Sequence, residues 1–92
     1  MEIVWSKQAL VDIEEIGDFI AKDSPAKAVA FIDHLIDSVE RLENFPESGP
    51  IVPENPIFRQ IVHDGYRVIY HLSLKRISIV TVLGPGQLYR WP

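Results

Sequence analysis

Residues 57–83 read IFRQIVHDGYRVIYHLSLKRISIVTVL, and this segment is the strongest indication of the fold class. Apolar and polar side chains alternate along it with a period of two, which is typical of strands with one buried face. The stretch is also rich in valine, isoleucine and aromatic residues, which favour strands. The pattern predicts three strands, over residues 57–62, 66–73 and 76–83, with a turn at Asp64-Gly65 between the first two.

The length of that turn decides which side chains share a face of the sheet. A two-residue turn at Asp64-Gly65 places Val62 opposite Arg67. A three-residue loop, with Gly65 in the left-handed conformation, places Val62 opposite Tyr66. The second register sorts the side chains better, so we favour it. It collects Phe58, Val62, Tyr66, Val68, Tyr70 and Leu72 on a core face, and Arg59, Ile61, Arg67, Ile69 and His71 on the other.

Two amphipathic helices precede the strands. Ser6 is suited to cap the first, over residues 7–22, and Ser24 to cap the second, which begins at Pro25 and extends to about residue 43. Apolar residues recur every three or four positions in both segments. The solvent face of the first helix is expected to hold Asp12, Glu14, Glu15 and Asp18. The short break between the helices predicts an antiparallel hairpin.

The remaining segments complete an α+β domain. Residues 2–5 are a short β-prone run that adds an N-terminal strand. Four prolines between residues 46 and 56 exclude helix and central strand, and they predict an extended crossover. We expect one domain over residues 1–92, with the helical hairpin packed on one face of a small antiparallel β-sheet. The second face is partly basic, and we expect nothing in the chain to cover it.

Composition places the chain among small globular proteins. Of its 92 residues, 47% are hydrophobic and 24% are charged, and none is cysteine. Without cysteine there is no disulfide and no thiolate for catalysis or zinc binding. The first residues lack the pattern of a signal peptide, and no apolar run is long enough to cross a bilayer. We therefore expect a cytoplasmic protein with no membrane partner.

Charge is divided unevenly along the chain. Residues 1–56 hold 12 acidic and 4 basic side chains, whereas residues 57–92 hold 1 acidic and 5 basic ones. The basic half could serve an anionic partner, or the acidic helices could simply be solvated. The overall net charge of −4 gives little attraction to nucleic acid, so we expect no direct binding to it.

The residues form no complete catalytic or metal site. The three histidines, His34, His63 and His71, do not stand at ligand spacing, so we expect no metal and no cofactor. One feature that stands out instead is a pair of arginines, Arg59 and Arg67, on strands predicted to be neighbours. They either bind an anionic partner or are solvated at the edge of the sheet.

The second feature is the C-terminal tail. It holds Gln87, Tyr89, Arg90 and Trp91 and ends at Pro92. Little chain is left in which to bury its aromatic side chains. The tail therefore either docks back on the domain or forms an exposed anchor for a partner.

Several short motifs follow one another at characteristic spacing. They are Trp5-Ser6 with Ala9 and Asp12-Ile13, Asp23-Ser24-Pro25 with Ala28, Leu42-Glu43-Asn44-Phe45-Pro46 with Gly49, Phe58-Arg59-Gln60-Ile61, and Tyr66-Arg67-Val68-Ile69-Tyr70. In this order they resemble the ParE/RelE superfamily of bacterial toxin–antitoxin modules, members of which are often labelled plasmid stabilisation proteins. The resemblance implies a helical hairpin on a small antiparallel sheet, in agreement with the fold predicted from the residues.

The resemblance implies one of two activities. RelE-like members cleave mRNA in the ribosomal A site with basic sheet residues, an arginine after the last strand and a C-terminal tyrosine. Here the matching residues would be Arg59, Arg67 and Tyr89. ParE-like members lack that set and inhibit DNA gyrase. Ile61 stands where a further basic residue is expected, and Gly84-Pro85-Gly86 offers no arginine after the last strand, so the chain is more similar to ParE.

Both classes are neutralised by a co-expressed antitoxin whose C-terminal segment wraps the toxin. We therefore expect a ParE-like toxin that acts by protein contact rather than by catalysis and that binds a ParD-like antitoxin, whose acids face Arg59 and Arg67. The residues expected to bind target or antitoxin are Arg59, Ile61, Arg67, His71, Gln87, Tyr89, Arg90 and Trp91. Two alternatives remain, a RelE-class mRNA interferase and a non-toxic module that keeps only antitoxin binding.

Overall fold

The computed structural model describes residues 1–91, and Pro92 lies outside the described residues. The elements are, in order, β1 (Glu2–Trp5), α1 (Lys7–Ala21), α2 (Pro25–Glu40), a 3-10 turn (Arg41–Glu43), β2 (Arg59–His63), β3 (Tyr66–Leu72) and β4 (Arg76–Leu83). The predicted order of elements is confirmed, and the predicted ends differ from the observed ones by at most a few residues. No helix of residues 1–91 is both long and apolar enough to cross a bilayer.

Two serines begin the helices as predicted. The Ser6 hydroxyl accepts a hydrogen bond from the Ala9 amide at 3.0 Å, and the Ser24 hydroxyl accepts one from the Lys27 amide at 3.2 Å. Each serine thus pairs an amide that helix geometry leaves unpaired in the first turn. Pro25 follows at the first helical position, where no amide hydrogen is needed. Only residues 22–24 join the helices, so α2 turns back and packs against α1.

The four strands form one mixed sheet in the order β1-β4-β3-β2. β2, β3 and β4 are antiparallel neighbours as predicted, whereas β1 pairs parallel to β4, with Ile3 opposite Ile77. Parallel pairing requires a long connection between the strands, and the helices and the crossover provide one. The α+β class is confirmed, and the N-terminal strand occupies the edge of the sheet beside β4.

The turn between β2 and β3 has two residues, so the predicted three-residue loop is wrong. Asp64 and Gly65 have positive φ angles of 49° and 82°, the pattern of a type I′ turn. Such a turn has the twist that suits a two-residue hairpin, and aspartate tolerates this backbone region better than most residues do. Val62 therefore lies opposite Arg67.

Both faces of the sheet are covered, so the prediction of an uncovered face is also wrong. The face toward the helices, here called the helix face, belongs to a cluster of buried residues: Ala9, Leu35, Val39, Leu42, Val68, Tyr70, Ile77, Ile79 and Val82. The opposite side, here called the back face, buries Val52, Phe58, Ile69 and Leu83 beneath Val80, Tyr89 and Trp91. Because β3 buries apolar side chains on both sides, hydrophobic alternation could not select its register.

Two side chains from the start of α1, Ser6 at its N-cap and Asp12, hydrogen-bond to a β-bulge in β4. Val80 is the extra residue, without a partner on β3. The Ser6 hydroxyl donates to the Val80 carbonyl at 2.7 Å. The Asp12 carboxylate accepts hydrogen bonds from the Val82 amide, at 2.9 Å, and from the Thr81 hydroxyl. The assignment of Asp12 to the solvent face is therefore wrong, because its carboxylate ties α1 to the sheet.

The proline-rich crossover is bonded to the sheet through Tyr70. The buried Tyr70 hydroxyl donates to the Pro46 carbonyl at 2.8 Å and accepts from the Gly49 amide at 3.1 Å. A Cβ atom on Gly49 would overlap the Gln60 carbonyl oxygen and the Tyr70 hydroxyl. Glycine is required at this position because the crossover approaches the sheet so closely.

Candidate functional site

The two arginines of the expected site lie on opposite faces of the sheet. Arg59 is opposite Tyr70 on the helix face, whereas Arg67 is opposite Val62 on the back face. The prediction that they share a face is wrong. Its cause is the one-residue difference in the turn, which exchanges the two faces of β2 relative to β3.

Both arginines also make hydrogen bonds inside the chain. Arg59 donates from Nη1 to the Gly49 carbonyl at 2.8 Å. Arg67 donates from Nε to Gln60 Oε1 at 2.6 Å and from Nη2 to Glu54 Oε2 at 3.1 Å. Gly49 and Glu54 belong to the crossover, so the arginines fasten this segment to the sheet. Part of the positive charge that the sequence offers to a partner is thereby used within the chain.

Ile61 and His71 are separated in the same way. Ile61 lies on the helix face with Arg59 and packs against the core cluster. His71 lies on the back face, where its ring meets that of Phe58 edge-on, with 6.1 Å between the ring centroids. The surface expected to combine Arg59, Ile61, Arg67 and His71 is thus divided between two faces.

The tail docks back on the domain, which is one of the two predicted alternatives. The ring centroid of Trp91 lies 5.7 Å from that of Phe58, and Tyr89 meets Trp91 edge-on at 4.8 Å. Both tail aromatics pack on the back face and are half-buried. The side chains beside them are exposed, Leu88 almost entirely (95%) and Arg90 more than a third. Covered and exposed residues therefore alternate along the tail.

The three residues that match the ribonuclease pattern do not converge. Tyr89 packs on the back face, to which Arg67 also belongs, but Arg59 lies across the sheet. Within residues 1–91, no group of three or more histidine, aspartate or glutamate side chains could hold a metal ion. The arrangement offers aromatic and apolar contact surface rather than converging charged groups.

A groove beside α1 is a candidate site that the sequence did not indicate. Its volume is about 260 Å³, and it lies between α1, the start of β3 and the end of β4. Glu15 and Phe19 line it from α1 and Tyr66 lines it from β3. Gln87 also lines it, and its side chain accepts a hydrogen bond from the Gly84 amide at 2.9 Å. The sequence signal for this groove was Phe19, an apolar residue among the acids of α1, which is 67% exposed.

A family model and two related proteins align with nearly the whole chain. The family described as "ParE toxin of type II toxin-antitoxin system, parDE" matches residues 3–89. The "Putative toxin Y4kP" of Sinorhizobium fredii is 30% identical to this chain over an alignment that covers 98% of this chain and 92% of that protein. The "Toxin RelE2" of Caulobacter vibrioides is 25% identical to this chain over an alignment that covers 95% of this chain and 98% of that protein.

A solved structure has the same architecture. It is described as "Chromosomal ParDE TA system from P. aeruginosa", and it superimposes with a TM-score of 0.80 at 21% identity, covering 94% of this chain and 97% of that one. The family match begins in β1 and ends in the tail, so it includes both helices and the strands described above, except for Glu2 at the start of β1. The chain therefore belongs to the ParE toxin family of type II toxin–antitoxin systems.

Proposed function

We propose that this chain acts by contact with a protein target, DNA gyrase, in the bacterial cytoplasm, and that a ParD-like antitoxin neutralises it. Membership of the ParE family supports the toxin–antitoxin part of the proposal. The observation that carries the mode of action is the position of Arg59 and Arg67, which lie on opposite faces and are each bonded inside the chain.

Those positions favour contact over RNA cleavage for a chemical reason. Cleavage through a 2′-hydroxyl group needs a general base and cations gathered around one phosphate. Arg59 cannot join Arg67 or Tyr89 around a single phosphate while the sheet lies between them. A net charge of −4 also gives the chain little long-range attraction to ribosomal RNA.

The back face and the tail form the surface that we propose for the target. His71, Tyr89 and Trp91 place aromatic rings there, and Arg90 is exposed beside them. Aromatic side chains and arginine are enriched among the residues that dominate binding energy at interfaces. Arg59 and Ile61 face the helices, so this surface does not include them.

Induced expression in a bacterial host tests the proposal. We expect DNA synthesis to stop before protein synthesis and the cells to form filaments, and we expect the purified chain to inhibit supercoiling by gyrase. Co-expression of the short reading frame beside the toxin gene, the expected source of the antitoxin, should restore growth. Arrest of protein synthesis while replication continues would contradict the proposal.

An mRNA interferase is the second candidate, because one relative is a protein named Toxin RelE2. Primer extension after induction distinguishes the two activities. An interferase would produce new codon-dependent cuts in mRNA within minutes, whereas a gyrase inhibitor would produce none. If the chain binds its antitoxin but leaves growth, replication and translation unchanged, it is a non-toxic interaction module.

A further inference from the structure

The groove beside α1 is negatively charged. Among the described residues, its lining includes two carboxylates, Asp12 and Glu15, and no arginine or lysine. The Asp12 carboxylate already accepts hydrogen bonds from Thr81 and Val82 at the bulge of β4. Glu15 is exposed and has no ion-pair partner among residues 1–91. One carboxylate at the groove is therefore available to a cation from outside the chain.

The same groove is also lined by two aromatic rings. Phe19 is 67% exposed on one side, and Tyr66, which packs on Phe31 at 4.7 Å between ring centroids, forms the other. A guanidinium group stacks on aromatic faces and also pairs with carboxylates. Glu15 together with Phe19 and Tyr66 thus offers both kinds of contact that arginine makes best.

The shape of the groove suits one long side chain. About 260 Å³ is below the range of about 300–1,000 Å³ usual for small-molecule pockets. Val11, Glu15 and Phe19 follow one another at intervals of four residues on α1, and such residues form a row along one side of a helix. Val11 is 40% exposed, so the row continues the apolar surface beyond the groove. A partner segment lying along the row could place one side chain inside.

We infer that this groove receives an arginine of the antitoxin, carried on a basic amphipathic segment that also covers Phe19 and Val11. The inference rests on the proposed function, since it names the chemistry of the neutralising partner. Charge complementarity supports the inference. Glu15 lines the groove, and the half of the chain that contains both helices, residues 1–56, holds 12 acidic and 4 basic side chains, so a basic segment would be attracted to it. The acids that the sequence led us to expect on the partner would meet Arg59 and Arg67, which are already bonded inside the chain.

A titration with small probes tests the groove by itself. The amide signals of the labelled chain are followed by NMR while N-acetyl-arginine methylamide is added, and then N-acetyl-glutamate methylamide in a separate sample. We expect shifts that cluster at residues 15, 19, 66, 84, 86 and 87 with the arginine probe and that are lost in Glu15→Gln. Absence of a cluster, or an equal response to the glutamate probe, would overturn the inference.

Binding of the antitoxin provides the second measurement. The protein encoded by the neighbouring reading frame should bind Glu15→Lys at least tenfold more weakly than wild type. Glu14→Lys changes the charge equally on an exposed residue that does not line the groove, so it should bind as wild type does. Equal binding of wild type and Glu15→Lys would overturn the inference and leave the proposed function standing. If the neighbouring protein binds no form of the chain, the proposed function fails, and the NMR titration still decides the groove.

Discussion

Single hydrogen-bonding residues hold the segments of this domain together. The Tyr70 hydroxyl lies between the Pro46 carbonyl and the Gly49 amide and thereby joins the crossover to the sheet. Burial raises the pKa of Tyr70 above its ordinary value of 10.0, although the hydrogen bond from Gly49 and the charge of Arg59 act in the opposite direction. The folded domain therefore keeps the phenol neutral to higher pH than the unfolded chain does.

We expect the stability that Tyr70 contributes to be complete below about pH 10 and to be lost as the pH rises through its raised folded pKa. Above the ordinary value the unfolded chain releases the proton first, so ionisation favours unfolding. The free energy of unfolding in urea should fall more steeply above about pH 10 for wild type than for Tyr70→Phe. At pH 7 the variant should be less stable by about 1–3 kcal/mol, because its partners lose a hydrogen bond. Parallel pH profiles would contradict this prediction.

Asp12 is the second residue whose loss should weaken the fold. Asp12→Ala removes the acceptor of the Val82 amide and the Thr81 hydroxyl beside the bulge. We expect the free energy of unfolding in urea to fall by about 1–3 kcal/mol, the usual effect of leaving such groups unpaired. Asp18→Ala makes the same change on an exposed residue of α1, so it controls for helix propensity. Equal stabilities of the two variants would show that Asp12 does not hold the bulge.

The C-terminal tail is the segment that covers the back face. Within residues 1–91, helices pack on one side of the sheet, and on the other side the buried residues Phe58 and Ile69 are covered by parts of the crossover and by Tyr89 and Trp91. A sheet face with buried apolar side chains needs such a cover because contact with water is unfavourable. The tail consequently has a structural role in addition to the target contact that we propose for it.

We expect Trp91→Ala to lower the midpoint of thermal unfolding measured by circular dichroism. A fully buried tryptophan contributes about 3–5 kcal/mol, and Trp91 should contribute less because it is half-buried. Leu88→Ala changes an exposed residue of the same tail, so its midpoint should equal that of wild type. If Trp91→Ala keeps the wild-type midpoint but loses toxicity, the tail is a pure anchor for the target and the packing role is wrong.

The chain is small and leaves apolar surface uncovered. A domain of this size buries only about 60–65% of the surface that its unfolded chain exposes. Large apolar side chains remain exposed on both helices, with Phe19 at 67% and Val29 at 63%. The free chain is therefore expected to be only modestly stable, and a partner that covers these helices would add to its stability.

We expect the complex with the antitoxin to unfold at a higher temperature than the free chain. A partner that binds only the folded chain, at a free concentration 1,000 times its dissociation constant, stabilises it by about 4.1 kcal/mol. In a domain of this size that corresponds to a rise of more than about 10 °C in the midpoint measured by calorimetry. A mixture with bovine serum albumin serves as the control. Equal midpoints for the free and the saturated chain would contradict the expected linkage.

The helices and strands and their order follow from local patterns in the sequence. Ser6 and Ser24 cap helices by bonding to amides three residues away, Pro25 fits the first turn, and the prolines of the crossover exclude regular structure. Each of these effects acts over a few residues, so it can be read without knowledge of the fold. The ordered motifs also identified the superfamily, because they extend over nearly the whole chain.

The contacts between those elements depend on the three-dimensional fold. A two-residue turn sets the register of β2 against β3, and this register places Arg59 and Arg67 on opposite faces. Hydrophobic alternation could not select that turn, because both sides of the sheet are covered. Asp12 looked solvent-exposed by helical period, yet it bonds to a strand 70 residues away in sequence. The groove at Phe19 likewise joins segments from both ends of the chain. Contacts between distant segments depend on packing in three dimensions, which local pattern does not encode.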